Sequence, residues 1–131
     1  MLLQIPVDAL HSVGQTLTTV DLSFNRLAYL SNATFEKLGK VVMADFGHNR
    51  IDKVGKRAFI GMFSIFPVLC AIFPSLVGAN SLRTLVLSNN QLSMVPTLAL
   101  SAQSSLNELR TLNLDGNNFR ALPTSCLDGT K

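Results

Sequence analysis

The sequence predicts a solenoid of the α/β class, in which short strands of successive coils stack into a parallel β-sheet. An apolar pattern with an asparagine at a constant position recurs four times along the chain, at Asn25, Asn49, Asn90 and Asn117. In each copy the residues before the asparagine alternate in the way of a short strand with one buried face. Because a single coil cannot bury its own apolar face, neighbouring coils must stack.

The copies divide the chain into repeats of similar length. Asn25 and Asn49 are 24 residues apart, and all seven positions of the apolar pattern stay in step between these two copies. Ile5 and Leu10 match the tail of a preceding unit. We therefore predict a single repeat domain over residues 1–131, with a partial unit over 1–16 and repeats over about 17–40, 41–59, 82–108 and 109–131.

The recurrent asparagines lie where the chain must turn away from each strand. An asparagine side chain has one acceptor and two donor hydrogens, enough to satisfy backbone groups of its own coil and of the adjacent coil. Stacked coils would then form an asparagine ladder, which offsets the cost of backbone polar groups at an interior turn. Asn25, Asn49, Asn90 and Asn117 are the predicted ladder residues.

Composition excludes several classes of protein. Hydrophobic residues make up 47% of the chain and charged residues 15%, which excludes a disordered protein. The net charge of +3 is spread thinly, and with one Tyr and no Trp the chain lacks the basic, aromatic stripe of a nucleic-acid binder. Cys70 and Cys126 are too few for a disulfide framework or a metal site.

Two segments, LRTLVLSNNQLSMVP and LRTLNLDGNNFRALP, match the pattern LxxLxLxxNxLxxLPxxxFxxLxx closely. This pattern resembles the typical 24-residue leucine-rich repeat of extracellular animal proteins such as Toll-like receptors, Slit-like guidance factors and matrix proteoglycans. The resemblance covers nearly the whole chain. It implies a right-handed solenoid with the parallel sheet on its concave face, and with irregular loops or short helices on its convex face.

The resemblance also implies where a ligand would bind, because the variable residues of the concave face are the usual contact surface of such repeats. Carried over by position, the candidate ligand-binding residues are Asp21, Phe24, Arg26, Met43, Asp45, His48, Arg50, Val86, Asn89, Gln91, Asn113, Asp115 and Asn118. Phe24 beside Arg26 combines an apolar anchor with a charge, as interface hot spots do. The alternative is that these are solvated strand residues, with Phe24 partly folded into the turn.

No pattern of catalytic or metal-binding residues accompanies the repeats. His48 is a lone histidine, and His11 is far off in sequence, in a predicted edge loop, with no Cys or Glu to complete a metal site. Asp21 and Asp45 would stack on adjacent strands, but a solenoid strand face offers no enclosed pocket to shift their pKa values. We predict no enzyme, no cofactor and no small-molecule substrate; a nucleophile elbow, a P-loop and a dinucleotide fingerprint are absent.

One apolar stretch interrupts the repeats. Asn49 and Asn90 are 41 residues apart, 17 more than the repeat, and the excess lies in an uncharged stretch over about residues 60–79. Three hypotheses remain open: a membrane span, a hydrophobic insertion on the convex face, and non-native sequence such as an intron of 17 codons translated in frame. A span would place in-register repeats on opposite sides of a bilayer. Because Cys70 lies in this stretch, a functional Cys70–Cys126 bridge is not expected.

An N-glycosylation sequon favours an extracellular or cell-surface location. Asn32-Ala33-Thr34 is an N-glycosylation acceptor and falls in a predicted convex loop. Residues 1–10 lack the features of a signal peptide. We predict an extracellular or cell-surface recognition module with a protein or matrix partner, whose parent protein could carry a membrane anchor. The alternatives are an intracellular scaffold, and a membrane protein that uses residues 60–79 as its span.

Overall fold

The computed structural model describes residues 1–32, 34–35, 37–59, 82–96 and 109–120. These ranges hold one short helix and six short strands: α1 (Val7–Val13), β1 (Thr19–Asp21), β2 (Tyr29–Leu30), β3 (Met43–Asp45), β4 (Lys53–Val54), β5 (Thr84–Val86) and β6 (Thr111–Asn113). A four-stranded parallel sheet has the order β1-β3-β5-β6, and β2 pairs with β4 in parallel in a second sheet. The predicted α/β solenoid fold is confirmed.

Side chains alternate along each strand of the larger sheet. The central residues of its strands align in register, and those of β1, β3 and β5 are buried: Val20, Ala44 and Leu85. Their neighbours on either side face outward, fully or in part. Leu112, the central residue of β6, is 39% exposed. The sheet therefore buries one face against the core and leaves the other open.

Three phenylalanines form the centre of the core beneath the sheet. Phe35 lies 5.2 Å from Phe46 and 5.8 Å from Phe59 between ring centroids, and all three are fully buried. The Phe35 and Phe59 rings are stacked, with their planes 7° apart. Aromatic pairs at such distances contribute about 0.5–1.5 kcal/mol beyond the burial of their area. The contacts of Phe35 with Phe46 and Phe59 therefore pack the first two repeats against each other.

The partial unit at the start of the chain takes the place of a preceding coil. The Leu2 N–H donates to Asn25 Oδ1 at 2.7 Å, and the Leu2 carbonyl accepts from the Arg26 N–H. Leu27 makes the same pair of bonds to the next repeat, at Asn49 and Arg50. Leu2 is therefore structurally equivalent to Leu27, one coil earlier.

Helix α1 follows this equivalent position and packs Leu10 against the core. The sequence prediction placed His11 in an edge loop, and this was wrong: His11 lies in the last turn of α1, where its Nε2 donates to the Thr34 carbonyl at 3.2 Å. The pattern of apolar residues in the partial unit did not indicate a helix, because Leu10 alone anchors it. Within the described ranges no helix is long and apolar enough to cross a membrane.

The solenoid is continuous across the interruption. β3 pairs directly with β5, with Ala44 opposite Leu85, and the Asn90 side chain donates to the Phe46 carbonyl 44 residues earlier. The repeats on either side of the apolar stretch therefore pack on each other, which a single membrane crossing between them would prevent. Residues 60–79, Cys70 and Cys126 lie outside the described residues, so the insertion and intron hypotheses stay predictions.

We expect a chain that lacks residues 62–78 to keep this fold. The deletion leaves Asn49 and Asn90 24 residues apart, as Asn25 and Asn49 are, and removes no described core residue. Because loop closure becomes less costly as a loop shortens, stability should stay equal or rise by about 1 kcal/mol. Urea denaturation of both chains measures this. A loss of more than about 2 kcal/mol would instead show that the stretch packs on the core.

Candidate recognition face

The asparagine ladder supports the turn at the end of each strand of the larger sheet. Asn90 Nδ2 donates to the carbonyls of Phe46, Leu87 and Ser88 at 3.0–3.1 Å, and Asn90 Oδ1 accepts from the Ile51 N–H at 2.9 Å. Its two amide hydrogens are thus shared among three carbonyl oxygens, two of its own turn and one of the preceding coil. At 5% exposure the side chain replaces water as the partner of four backbone groups.

Asn49 and Asn117 repeat this arrangement. Asn49 donates to Leu22 of the preceding coil as well as to its own turn, and Asn117 does the same to Leu87. Among the described residues, Asn25 donates to the Leu22 and Ser23 carbonyls of its own turn alone. Within the described residues no buried side-chain nitrogen or oxygen lacks a partner. The ladder therefore satisfies the turns that present the exposed face.

The residue before each ladder asparagine has a left-handed backbone. These residues form what we call the turn column, with φ of 53° at Phe24, 53° at His48, 52° at Asn89 and 65° at Gly116. Gly, Asn and His tolerate this conformation more readily than other residues do, whereas a bulky side chain is an outlier there. Phe24 is that outlier.

Contacts run along the whole turn column. The Phe24 and His48 rings stack with centroids 4.2 Å apart and planes 8° from parallel. Asn89 Nδ2 donates to His48 Nε2 at 3.3 Å. A Cβ atom at Gly116 would lie 2.4 Å from Asn89 Oδ1, so only glycine permits this close approach. Phe24 is 69% exposed and therefore projects from the turn into solvent.

An acidic pair lies beside the turn column. Asp21 and Asp45 are opposite each other on β1 and β3. Asp45 Oδ1 accepts the Gly47 N–H at 2.7 Å, and Asp21 Oδ1 accepts both the hydroxyl and the N–H of Ser23, at 2.6 and 3.0 Å. These bonds, the hydroxyl bond first, hold the pKa of Asp21 below its ordinary value. Each Oδ2 has no hydrogen bond in the described part of the chain.

Both carboxylates were predicted to contact a ligand, and their bonds to the turn were not predicted. Asn113 Oδ1 makes the same bond to the Asp115 N–H at 3.0 Å. An Asp or Asn two residues before a Ser, Gly or Asp is a recognised turn pattern, and this signal was present in the sequence. One oxygen of each side chain therefore stabilises the turn, and the other is available to a ligand.

A basic pair follows the turn column along the chain. Arg26 and Arg50 directly follow ladder asparagines, and their side chains are exposed. Their N–H groups donate to Leu2 and Leu27 of the preceding coils, so the two arginines occupy equivalent places in adjacent coils. Gln91 and Asn118 continue the row with the same backbone bonds and no charge. Neither arginine forms an ion pair with a described residue.

The comparisons with known proteins agree with this geometry. A family model described as Leucine Rich Repeat matches residues 81–102 and 108–129, and a second, described as Leucine Rich repeat, matches residues 15–29. The chain is a leucine-rich-repeat protein. Domains of this family generally mediate protein–protein interaction and are typically non-catalytic. A search of the curated proteins finds no match.

The coil that holds Asn49, predicted as a repeat over residues 41–59, lies between the matched ranges and belongs to the same stack. Its Asn49 side chain donates to the Leu22 carbonyl of the first repeat, and its Phe46 carbonyl accepts from the Asn90 side chain of the third.

The other predicted contact residues differ in exposure: Met43 and Asp115 are exposed, and Val86 is half-buried. Ligand contact at all these positions stays a prediction. Among the described residues, no group of three His, Cys, Asp or Glu could hold a metal ion.

The leucine-rich repeats also place Asn32, the acceptor residue of the sequon, on the surface. Asn32 is exposed, and its Oδ1 accepts the Arg57 N–H of the next repeat at 3.0 Å. Gly55 packs directly beneath Asn32, because a Cβ there would lie 2.5 Å from Asn32 Oδ1. Thr34 is buried, and its hydroxyl donates to the Ser31 carbonyl at 2.9 Å. A glycan on Asn32 Nδ2 would leave the Oδ1 bond to Arg57 intact.

Proposed function

We propose that the exposed face of the four-stranded sheet and its turn column form the recognition surface of a secreted or cell-surface protein. The partner is a protein ligand or a matrix component, and the surface performs no catalysis. The observation that carries this proposal is the exposed Phe24 ring, held in a left-handed backbone at the end of β1.

Phe24 contributes little to folding. A bulky residue in the left-handed region costs about 1–2 kcal/mol, and a ring that is 69% exposed recovers only a small part of its possible burial. The stack on His48 nevertheless fixes its orientation. A rigid aromatic ring loses little entropy on binding, and such rings dominate the energetics of protein interfaces. These properties support a binding role at this position.

The test removes the ring without adding strain. Phe24→Asn places a residue that tolerates the left-handed backbone, as Asn89 does in the third repeat. A partner captured from the extracellular fraction of the source tissue should bind this variant at least about tenfold more weakly, since hot-spot residues contribute about 2 kcal/mol or more. Surface plasmon resonance measures the loss.

Met94→Ala is the matched control, because Met94 is an equally exposed apolar side chain (73%) outside the turn column. It should leave the affinity unchanged. If both variants lost the same affinity for the partner, or if neither lost any, the assignment of this face as the recognition surface would be contradicted.

Secretion predicts a glycan at Asn32. When the full chain is sent through a eukaryotic secretory pathway, digestion with peptide N-glycosidase should lower its mass. Thr34→Ser should retain the shift, because the hydroxyl and the sequon remain. Asn32→Asp should abolish the shift while keeping the Oδ1 acceptor for the Arg57 N–H, so its stability reports the fold alone. An unmodified Asn32 in protein from the native source would favour the intracellular scaffold instead.

A further inference from the structure

We infer that the first two repeats bind an extended segment of a partner protein that carries, in this order, a cationic side chain, a large apolar or aromatic side chain, and an anionic side chain. This inference rests on the proposed recognition function of the sheet face. It follows from the order of side chains along the coil: the acidic pair on the strands, the Phe24–His48 stack at the turn, and the basic pair after the ladder.

The acidic pair selects the cationic end of the segment. Asp21 and Asp45 are register partners on parallel strands, and such strands lie about 4.8 Å apart. Each has an Oδ2 atom without a hydrogen bond, and no described Lys or Arg lies within 4.0 Å to form an ion pair. Like charges directly opposite each other on neighbouring strands are unfavourable, so a cation that approaches both side chains would pair with each of them.

The Phe24–His48 stack selects the apolar middle of the segment. The two rings stack face to face across adjacent coils, and because both residues are exposed they together present one aromatic surface patch. A partner ring or aliphatic side chain on this surface would bury apolar area that is otherwise in water.

The basic pair selects the anionic end of the segment. Arg26 and Arg50 occupy equivalent places in adjacent coils, with no carboxylate of the described residues within 4.0 Å. A guanidinium group binds a carboxylate through two parallel hydrogen bonds, so two such groups favour an acidic side chain strongly. Like charge at this end also disfavours a partner segment bound with the opposite polarity.

The charge pattern belongs to the first two repeats. The equivalent positions of the third and fourth repeats are uncharged: Val86 and Asn113 in place of the acidic pair, Asn89 and Gly116 in place of the stack, and Gln91 and Asn118 in place of the basic pair. Asp21 and Arg26 are five residues apart, which spans no more than about 18 Å. The three features therefore fit a short run of one partner chain.

The experiment selects peptides from a phage-displayed library of random linear dodecapeptides on the folded full chain. Compared with the unselected library, the recovered peptides should more often combine a Lys or Arg with an Asp or Glu, with a large apolar residue between the two. In the Asp21→Asn, Asp45→Asn double variant the side-chain oxygen that each turn uses remains while both charges are lost. This variant should lose the Lys/Arg enrichment and bind the best peptide about tenfold more weakly, with the apolar preference retained.

A reciprocal double variant removes the charges of the basic pair, and a substitution at the uncharged Gln91 is the control. Arg26→Gln with Arg50→Gln should abolish the Asp/Glu enrichment, whereas Gln91→Ala should change nothing. Unfolding midpoints in urea should agree among the variants, which separates binding loss from misfolding. Selection that yields no peptides, or peptides indifferent to both charge variants, would overturn the proposed polarity. The tissue-partner measurement with Phe24→Asn would still report the proposed function in either case.

Discussion

Replacing Asn90 by alanine is expected to destabilise the protein by about 3–5 kcal/mol. The Asn90 side chain satisfies four backbone groups, and it is almost fully buried. An unsatisfied buried group costs about 1–3 kcal/mol, and alanine leaves the Ile51 N–H without its partner. The Phe46 carbonyl also loses the bond from Asn90 and keeps the one from Asn49. The two lost bonds join the coils on either side of the interruption.

Urea denaturation followed by far-ultraviolet circular dichroism measures the change. Gln91→Ala is the control, because Gln91 is exposed and contributes only its backbone to the stack; a change below about 0.5 kcal/mol is expected. Asn117→Ala should lie between the two, since that side chain is less buried. If Asn90→Ala were as mild as Gln91→Ala, the ladder would not stabilise the solenoid.

Replacing Phe35 by alanine is expected to cost about 3–5 kcal/mol for a different reason, the cavity left in the core. Phe35 is fully buried and contacts the rings of Phe46 and Phe59. Because the neighbouring coils are held by the ladder and the sheet, they can collapse only partly into the space. The same denaturation experiment measures the loss.

Phe35→Leu supplies the comparison within the same position. Leu10 occupies the equivalent place one coil earlier and packs on the core, so leucine suits the geometry. The expected cost is below about 1.5 kcal/mol. Equal losses for leucine and alanine would show that ring stacking, rather than filled volume, holds the two repeats together.

Periodicity predicted much of this molecule because a solenoid is held by contacts between equivalent positions. The strand centres, the ladder asparagines and the buried Phe35 and Phe59 keep the same offsets within each copy of the pattern, because each coil must place the same group in the same environment. Asn25 and Asn49 could therefore be assigned to the turn before any contact was known.

Helix α1 and the bonds of the acidic pair were not predicted. A single anchoring residue, Leu10, leaves no helical period to detect, and so His11 was wrongly placed in a loop. Asp21 and Asp45 were assigned by their outward position alone. The repeat pattern does not encode whether one oxygen bends back to its own turn; the signal for these bonds is instead the local preference of Asp for accepting the N–H two residues on.

The sequence by itself determined that the chain forms a leucine-rich-repeat solenoid, since apolar spacing and the recurring asparagines dictate what each coil must bury and pair. Only the tertiary structure decided that the second and third repeats stack directly, because the bonds of Asn90 to Phe46 and Ile51 join residues separated by the interruption. It also decided that Phe24 stacks on His48 in the open. The repeat spacing places Phe24 and His48 at equivalent positions of adjacent coils. The orientation of their rings, however, depends on the backbone conformation that neighbouring coils impose.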